Sequence, residues 1–149
     1  MAMRTDWLAA HVRRDHEWLL ERLRSLDNCL EHILYFGEVC SDLRGFGGLR
    51  LRCEELYETL AHHIPEEEQM FARLGRVELA PLLKTLTEEH RELLRSLEGV
   101  LSTLEALESG ALLPEDLFTL QDRVKKLSAG LQHHIATENE LVLPQAQVA

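Results

Sequence analysis

The sequence is poor in cysteine and in aromatic residues, and each shortage excludes a class of protein. The cysteines are Cys29, Cys40 and Cys53, an odd number without a Cys-x-x-Cys pair. This pattern argues against a disulfide framework, a zinc motif or a redox motif, and we expect reduced thiols in a cytoplasmic protein. Aromatic residues make up 5% of the chain. They are too scattered to form a stacking platform.

Positive charge and long apolar stretches are also scarce. The formal net charge is −10, and Lys and Arg form no long run. Nucleic acids and anionic membranes bind proteins through clustered basic residues, so we expect neither as a partner. No stretch approaches the ~20 consecutive apolar residues of a membrane span, and the N-terminal residues lack the apolar run of a signal peptide. We therefore expect a soluble, unprocessed protein.

The sequence does contain a helical pattern that occurs four times. A length of 149 residues with 45% hydrophobic content suffices for one domain. Apolar residues recur at alternating steps of four and three over residues 12–33, 49–74, 83–107 and 117–141, as they do in helical bundles. Glycine and proline separate the segments. They predict a turn at Gly45–Gly48, a helix end at Gly75, a helix start at Pro81, a helix end at Ser109–Gly110 and a helix start at Pro114.

Short connections between long helices predict an all-α fold, an antiparallel up-down-up-down four-helix bundle. Each helix carries one histidine within its apolar row. His16 and His90 lie early in their helices, whereas His63 and His134 lie late. Alternating helix directions bring all four to the same end of the bundle, each about three turns, or roughly 15 Å, from that end. We therefore expect the four imidazoles to form one layer.

Two glutamates belong to the same layer. Glu67 and Glu138 follow His63 and His134 by four residues, so each shares a helix face with its histidine. Buried imidazoles and carboxylates are costly without partners, and facing carboxylates repel each other. A pair of divalent or trivalent cations removes this cost, and mixed imidazole and carboxylate ligands favour iron over manganese or zinc. The predicted metal ligands are His16, His63, Glu67, His90, His134 and Glu138.

The apolar positions on either side of this layer predict a small, dry pocket. Toward the nearer end of the bundle they are Val12, Met70, Leu86 and Leu141, and toward the middle they are Leu19, Leu60, Leu93 and Leu131. Such a pocket admits a diatomic gas or peroxide more readily than a larger metabolite, which needs polar groups to orient it.

Several residues near the predicted ligands fall off the apolar rows. His11, His62 and His133 are expected on the flanks or the surface of the bundle. Glu66 is expected to be a solvated acid unless the backbone deforms and recruits it. Pro65 lies inside the second helical pattern, where it removes a backbone hydrogen bond, and we expect it to kink the helix without ending it.

With these residues the chain resembles the hemerythrin-like (HHE cation-binding) family of non-haem di-iron four-helix bundles. The resemblance rests on Asp15-His16-Glu17, on His63 and Glu67, on His90 after Glu88-Glu89, and on His134 and Glu138 ahead of Leu143-Pro144. It implies a single hemerythrin-like domain over residues 1–149. It also implies that His16 and His63 hold one iron ion and that His90 and His134 hold the other. Glu67, Glu138 and an oxo or hydroxo group are the implied bridges.

Two positions differ from the oxygen-carrying hemerythrins. Leu94 stands where those proteins have a second histidine in the third helix, and Glu138 stands four residues after its histidine where they have an aspartate at five. The pattern is closer to bacterial relatives, which include di-iron proteins implicated in the repair of iron–sulfur centres. One imidazole fewer leaves an extra open position, which favours redox reaction with oxygen, peroxide or nitric oxide over reversible oxygen carriage.

Three functions follow from these patterns. The leading one is a di-iron protein that binds or reacts with a small oxidant (O2, NO or peroxide) in sensing, detoxification or iron handling, with enzymatic turnover left open. The second is an iron donor whose partner is an iron–sulfur protein. The third is a structural or interaction bundle in which the polar layer fixes the register of the helices.

Overall fold

The computed structural model describes residues 2–36, 43–109 and 114–148, and in these ranges the chain forms long helices and no strand. The helices are α1 (Ala2–Phe36), α2 (Leu43–Leu74), α3 (Ala80–Ser109) and α4 (Pro114–Thr137). A 3-10 turn, Val77–Leu79, precedes α3, and a π-helical turn, Glu138–Val142, connects α4 to α5 (Leu143–Val148). The predicted all-α fold is confirmed. None of the described helices combines the length and the apolar character needed to cross a membrane.

Contacts between neighbouring helices show the direction of each helix. From α1 to α2 the contacting pairs are Asp15–His63, Arg22–Glu55 and Ser25–Arg52. From α2 to α3 the pairs are Glu68–His90 and Tyr57–Glu98, and from α3 to α4 they are Glu89–His134 and Gly99–Arg123. Between α1 and the last helical stretch they are His16–Asn139 and Asp27–Ser128. In every case the residue number rises on one helix as it falls on the other. Neighbouring helices therefore run in opposite directions.

Four of the predicted helix boundaries are found in the structure. Helix α3 ends at Ser109, as predicted, and Gly110 lies outside the described residues. Gly75 follows the end of α2 with φ of +59°, a left-handed conformation that costs glycine little and lets the chain leave the helix. Pro81 lies in the first turn of α3, and Pro114 is the first residue of α4. Proline fits these positions because the first backbone N–H groups of a helix have no intrahelical acceptor.

The turn predicted at Gly45–Gly48 is wrong. Helix α2 begins at Leu43, so all four residues lie within its first turns. Glycine lowers helix stability by about 1 kcal/mol relative to alanine, but it does not forbid helical dihedral angles. The buried row that starts at Leu49 is continuous with these turns, and Arg52 donates a hydrogen bond to the carbonyl oxygen of Gly48. The glycines at these positions are therefore a weak signal for a turn.

Pro65 does not end α2, in agreement with the prediction. The helix continues to Leu74 and keeps His63, Glu67 and Met70 on its buried face. The kink expected at Pro65 stays a prediction. What matters for the polar layer is that Glu67 remains one turn after His63.

Apolar side chains form two separate clusters, with the polar layer between them. The middle cluster occupies most of the bundle and includes the predicted residues Leu19, Leu60, Leu93 and Leu131. The end cluster contains Leu8, Ala9, Val12, Met70, Phe71, Leu86, Val142, Leu143 and Ala146. Because α1 passes through the end cluster, the histidine and the middle cluster in that order, the layer lies near one end of the bundle, as predicted.

One predicted core residue is replaced by its neighbour. Leu141 is 51% exposed, whereas Val142 is fully buried in the end cluster. The cause is the π-helical turn Glu138–Val142, which inserts extra backbone into the helix and rotates the residues that follow it. An apolar row continued from His134 and Glu138 at the constant spacing of an α-helix therefore predicts Leu141 as the buried residue, whereas the structure buries Val142.

Cys29 and Cys53 are free thiols, in agreement with the prediction, and Cys40 lies outside the described residues. Burial raises the pKa of Cys53 to about 12, so its sulfur is a protonated thiol that packs as an apolar group in the middle cluster.

Candidate metal centre

Six side chains meet in the buried polar layer. They are His16 on α1, His63 and Glu67 on α2, His90 on α3, and His134 and Glu138 from α4 and the π-helical turn. Each of these residues is at most 3% exposed. The imidazole rings approach closely in pairs, with ring centroids 5.1 Å apart for His16 and His63 and 4.7 Å apart for His90 and His134. The structure therefore brings together the complete set of residues that the sequence predicts.

The ligand-type atoms fall into two groups that share both carboxylates. One group is His16, His63, Glu67 and Glu138, and the other is Glu67, His90, His134 and Glu138, with the atoms of each group within 4.8 Å of one another. The histidine pairs are those that the family resemblance assigns to the two cations. Their role as metal ligands stays a prediction.

Both glutamates extend across the layer to contact histidines on more than one helix. The Nε2 atom of His16 lies 3.2 Å from Oε2 of Glu67 and 3.0 Å from Oε2 of Glu138. The Nε2 atom of His90 lies 2.6 Å from Oε1 of Glu67 and 3.6 Å from Oε1 of Glu138. Within their own helices, Glu67 contacts His63 and Glu138 contacts His134. Each carboxylate thus has one oxygen toward each group.

In each of the four layer histidines, the nitrogen that faces away from the layer donates a hydrogen bond to an oxygen atom of a different helix. The Nδ1–H group of His16 donates to Asn139 Oδ1 (2.7 Å), and that of His63 donates to Asp15 Oδ2 (2.9 Å). The Nδ1–H group of His90 donates to Glu68 Oε1 (3.2 Å), and that of His134 donates to Glu89 Oε1 (2.8 Å). Since these oxygens only accept, each Nδ1 carries the proton and each Nε2 is left to face the layer. Hydrogen bonds of this kind orient imidazoles for metal binding.

These four outer partners form a closed ring around the bundle. Each is adjacent in sequence to one of the six layer residues but contacts a histidine on the next helix: Asp15 on α1 reaches α2, Glu68 on α2 reaches α3, Glu89 on α3 reaches α4, and Asn139 returns to α1. Asp15 and Glu89 stand in the motifs that carry the family resemblance, but no role was predicted for any of the four. The signal in the sequence is an acid or amide next to a layer residue, because one step along a helix turns the side chain by about 100° toward a neighbouring helix.

Opposite charges set the protonation of the histidines in the metal-free layer. Burial lowers the pKa of His16, but the close contacts and the charges of Glu138 and Glu67 outweigh burial and raise it to about 9. The same two causes raise the pKa of His90 to about 9 and that of His134 to about 10. In the absence of a cation, these three imidazoles therefore hold their second protons at neutral pH.

Glu67 shows the complementary effect. Burial raises its pKa, but the close contacts of its carboxylate with Glu138 and with three of the histidines hold the pKa well below its usual value. The pKa of His63 is raised, because the hydrogen bond and the charge of Glu67 outweigh burial. The layer is therefore a network of opposite charges, in which the Glu67 carboxylate stays ionised and available to a cation.

Three atoms of the layer have no hydrogen-bond partner. They are Nε2 of His134 and both carboxylate oxygens of Glu138, all buried. Nε2 of His134 is close to Glu138, but the two are not placed in hydrogen-bond geometry. Unpaired buried polar atoms cost free energy, and lone pairs that converge from several side chains are what a cation requires. The donor set therefore fits a metal.

The neighbouring residues behave largely as predicted. The side chain of His62 is 83% exposed and His133 is exposed, so both lie on the flanks. Met70 is fully buried in the end cluster. His11 and Glu66 differ from the expectation of solvated surface residues, since both are only half-exposed and lie 2.7 Å apart between His11 Nε2 and Glu66 Oε2.

Comparison with known proteins identifies one family. A family model described as the Hemerythrin HHE cation binding domain matches residues 8–146 of the chain. A search of curated proteins finds no match, and a search of solved structures finds none.

Proposed function

The chain belongs to the hemerythrin HHE cation-binding domain family, and from this premise we propose that it binds two iron ions and that it binds or reacts with a small oxidant: O2, NO or peroxide. The observation that carries the proposal is the pair of buried four-residue groups that share Glu67 and Glu138. Two overlapping groups with two common carboxylates fit two neighbouring cations better than one.

The proposed ligands follow the two groups. His16 and His63 hold one iron ion, His90 and His134 hold the other, and Glu67 and Glu138 each bridge the two. Imidazole nitrogen and carboxylate oxygen are ligands that suit iron, with manganese and zinc as weaker candidates. The bound pair of iron ions supplies the redox chemistry that these side chains lack.

The protein contributes position and a dry environment. The four outer partners hold each Nε2 toward the layer, so ligand geometry exists before a cation arrives. The middle and end clusters close the layer from both sides and leave its residues almost without solvent contact. This enclosure favours a diatomic molecule or peroxide as the reacting species and disfavours a larger substrate.

Leu94 supports reaction over simple carriage. It is half-buried and packs against the middle cluster, so no fifth imidazole reaches the layer from this position. We propose that the iron ion held by His90 and His134 keeps a coordination position for the oxidant.

The test is metal analysis combined with absorption spectra of protein purified from iron-rich growth. We expect about two iron ions per chain and a near-ultraviolet absorption that changes between nitrogen, air and nitric oxide. A His90→Ala variant should lose this spectrum, whereas a His133→Ala variant, which removes an exposed histidine, should keep it. Colourless, iron-free wild-type protein would contradict the proposal.

A further inference from the structure

A second group of metal-type side chains lies beside the buried layer. His11, Asp15 and Glu66 place one ligand atom each within 4.8 Å of the others. His11 Nε2 lies 2.7 Å from Glu66 Oε2 and 3.6 Å from Asp15 Oδ2. Their side chains are 31%, 20% and 30% exposed, so the group is open to solvent on one side. We name it the outer triad.

The outer triad, like the buried layer, contains a buried polar atom without a hydrogen-bond partner. Oε2 of Glu66 is a buried atom with no hydrogen-bond partner, although His11 Nε2 is only 2.7 Å away. The imidazole nitrogen and this oxygen face each other outside hydrogen-bond geometry, as His134 and Glu138 do in the layer. A buried oxygen that faces an imidazole nitrogen outside hydrogen-bond geometry is placed as a ligand to a cation would be.

The ring of His11 is held in place. Trp7 stacks on it with ring centroids 5.4 Å apart and an interplanar angle of 4°. The stacking restrains a side chain that is otherwise free to rotate, so less conformational entropy is lost when the ring binds a ligand. On the other side of the triad, His62 lies 3.7 Å from Oε1 of Glu66 and offers a further nitrogen at the surface.

Asp15 connects the outer triad to the buried layer. Its Oδ2 faces His11 and also accepts the Nδ1–H hydrogen bond of His63 at 2.9 Å. Glu66 is the chain neighbour of Glu67. The outer triad is therefore one hydrogen bond away from the buried layer, and it lies on the solvent side of it.

From this geometry we infer that the outer triad is a separate, exchangeable site for a divalent cation such as Fe²⁺, Mn²⁺, Co²⁺ or Zn²⁺, and that it feeds cations to the buried layer. One imidazole nitrogen and two carboxylate oxygens suit these ions, and the two negative charges balance a dication. The buried residues have almost no solvent contact, so a cation must first be captured outside them. The feeding role rests on the proposed function; the binding site does not.

Cobalt titration tests the site. Trp7 and Trp18 are the two tryptophans of the chain, so a Trp18→Phe background leaves Trp7 as the single reporter. In protein whose buried layer is already filled with iron, we expect Co²⁺ to quench Trp7 fluorescence saturably as one further equivalent binds. Loss of a group that only supports a metal ligand costs about tenfold to a hundredfold in affinity, so His11→Gln and Glu66→Gln should each weaken Co²⁺ binding at least about tenfold.

The controls separate the outer triad from the buried layer. His133→Gln removes an exposed histidine elsewhere and should leave the titration unchanged. Equal iron content and equal circular dichroism spectra in all variants show that the bundle is intact. Absence of saturable quenching in the Trp18→Phe protein, or equal affinity in the His11→Gln and Glu66→Gln variants, would overturn the outer site. Wild-type protein without iron in the layer contradicts the proposed function instead. In that protein the difference in Co²⁺ affinity between the Trp18→Phe protein and the His11→Gln and Glu66→Gln variants still decides the outer site, because these variants leave all six layer residues in place.

The rate of iron uptake tests the feeding role. After anaerobic addition of Fe²⁺ to metal-free protein, we expect Glu66→Gln to slow filling of the layer on the order of tenfold, because a negative charge that concentrates the cation is lost. The final iron content should be the same. Glu17→Gln is the matched control, since it removes an exposed carboxylate beside His16. Uptake that is unchanged in Glu66→Gln would overturn the feeding role.

Discussion

At the scale of single residues, the layer depends on pairs of side chains that come from different helices. Each histidine is a candidate ligand through Nε2 and a hydrogen-bond donor through Nδ1, and the acceptor comes from a neighbouring helix. Three of these acceptors are carboxylates, whereas Asn139, the partner of His16, is neutral. A carboxylate makes its imidazole a stronger donor to a cation than an amide does. We therefore expect the metal affinity of the proposed centre to depend on residues outside the six.

The outer partner of His134 gives a prediction with a matched control. Glu89→Ala removes the acceptor of the Nδ1–H group and frees the ring to turn, so iron affinity should fall about tenfold to a hundredfold. Glu88→Ala removes an adjacent, exposed carboxylate of the same helix and should have no such effect. Competition with a chelator of known affinity measures both variants. Equal affinities would show that the hydrogen bond to Glu89 does not support the ligand.

Proton release on metal loading follows from the raised pKa values. Because the pKa values of His16 and His90 are about 9 and that of His134 is about 10 in the metal-free layer, these rings are protonated at pH 7.5. A cation must displace these protons, so loading should release more than about two protons per chain, and affinity should rise with pH. Histidines of ordinary pKa, near 6.5, are only about a tenth protonated at this pH and would release almost none. Calorimetry in buffers of different ionisation enthalpy distinguishes the two results.

At the scale of elements, the π-helical turn Glu138–Val142 decides which residues of the last helical stretch face inward. It contains Glu138 and Asn139, so the candidate bridge and the outer partner of His16 both lie in it. A regular α-helix turns about 100° per residue, and a π-helical turn changes the direction of everything that follows. The turn therefore places Val142, and not Leu141, against the end cluster.

Truncation of these two neighbours tests the register. Val142→Ala removes buried methyl groups and should lower the free energy of unfolding by about 2 kcal/mol. Leu141→Ala removes a larger but mostly exposed side chain and should change it by less than about 0.5 kcal/mol. Chemical denaturation with equal iron content measures both. A larger loss for Leu141→Ala would mean that the helix continues without the turn.

Much of the architecture could be predicted from the sequence because its signals are local. The apolar rows, Gly75, Pro81 and Pro114 each act through the backbone of their own helix, and the depth of the four histidines follows from counting turns. Two predictions failed where a local rule was incomplete: the glycines at 45–48 are tolerated inside a helix, and a constant helical step does not foresee the π-helical turn. The outer partners and the outer triad required the order and rotation of the helices, which no single segment contains.

At the scale of the whole molecule, the polar layer divides the apolar interior into two clusters. A bundle with an uninterrupted apolar core is more stable than one with unpaired buried charges. The layer therefore lowers the stability of the fold unless a cation fills it. In the metal-free protein, imidazolium and carboxylate groups offset one another in part. Bound iron is therefore expected to contribute to the stability of the fold as well as to its chemistry.

Removal of iron should lower the melting temperature. A ligand at a thousand times its Kd stabilises the folded state by about 4 kcal/mol, and each kcal/mol corresponds to about 2–4 °C at this chain length. We expect metal-free protein to melt about 10 °C below the iron-loaded protein, with recovery after iron is restored. Scanning calorimetry makes the comparison. Identical melting temperatures would favour the alternative of a structural bundle whose polar layer only fixes helix register.

Anomalous X-ray diffraction at the iron absorption edge, from crystals of the iron-loaded protein, shows whether the six buried side chains hold a pair of iron ions. We expect two anomalous peaks in the layer, about 3.5–4 Å apart. One should lie among His16, His63 and the two glutamates, and the other among His90, His134 and the same glutamates. A single peak, or no peak within the layer, would contradict the proposed pair of iron ions.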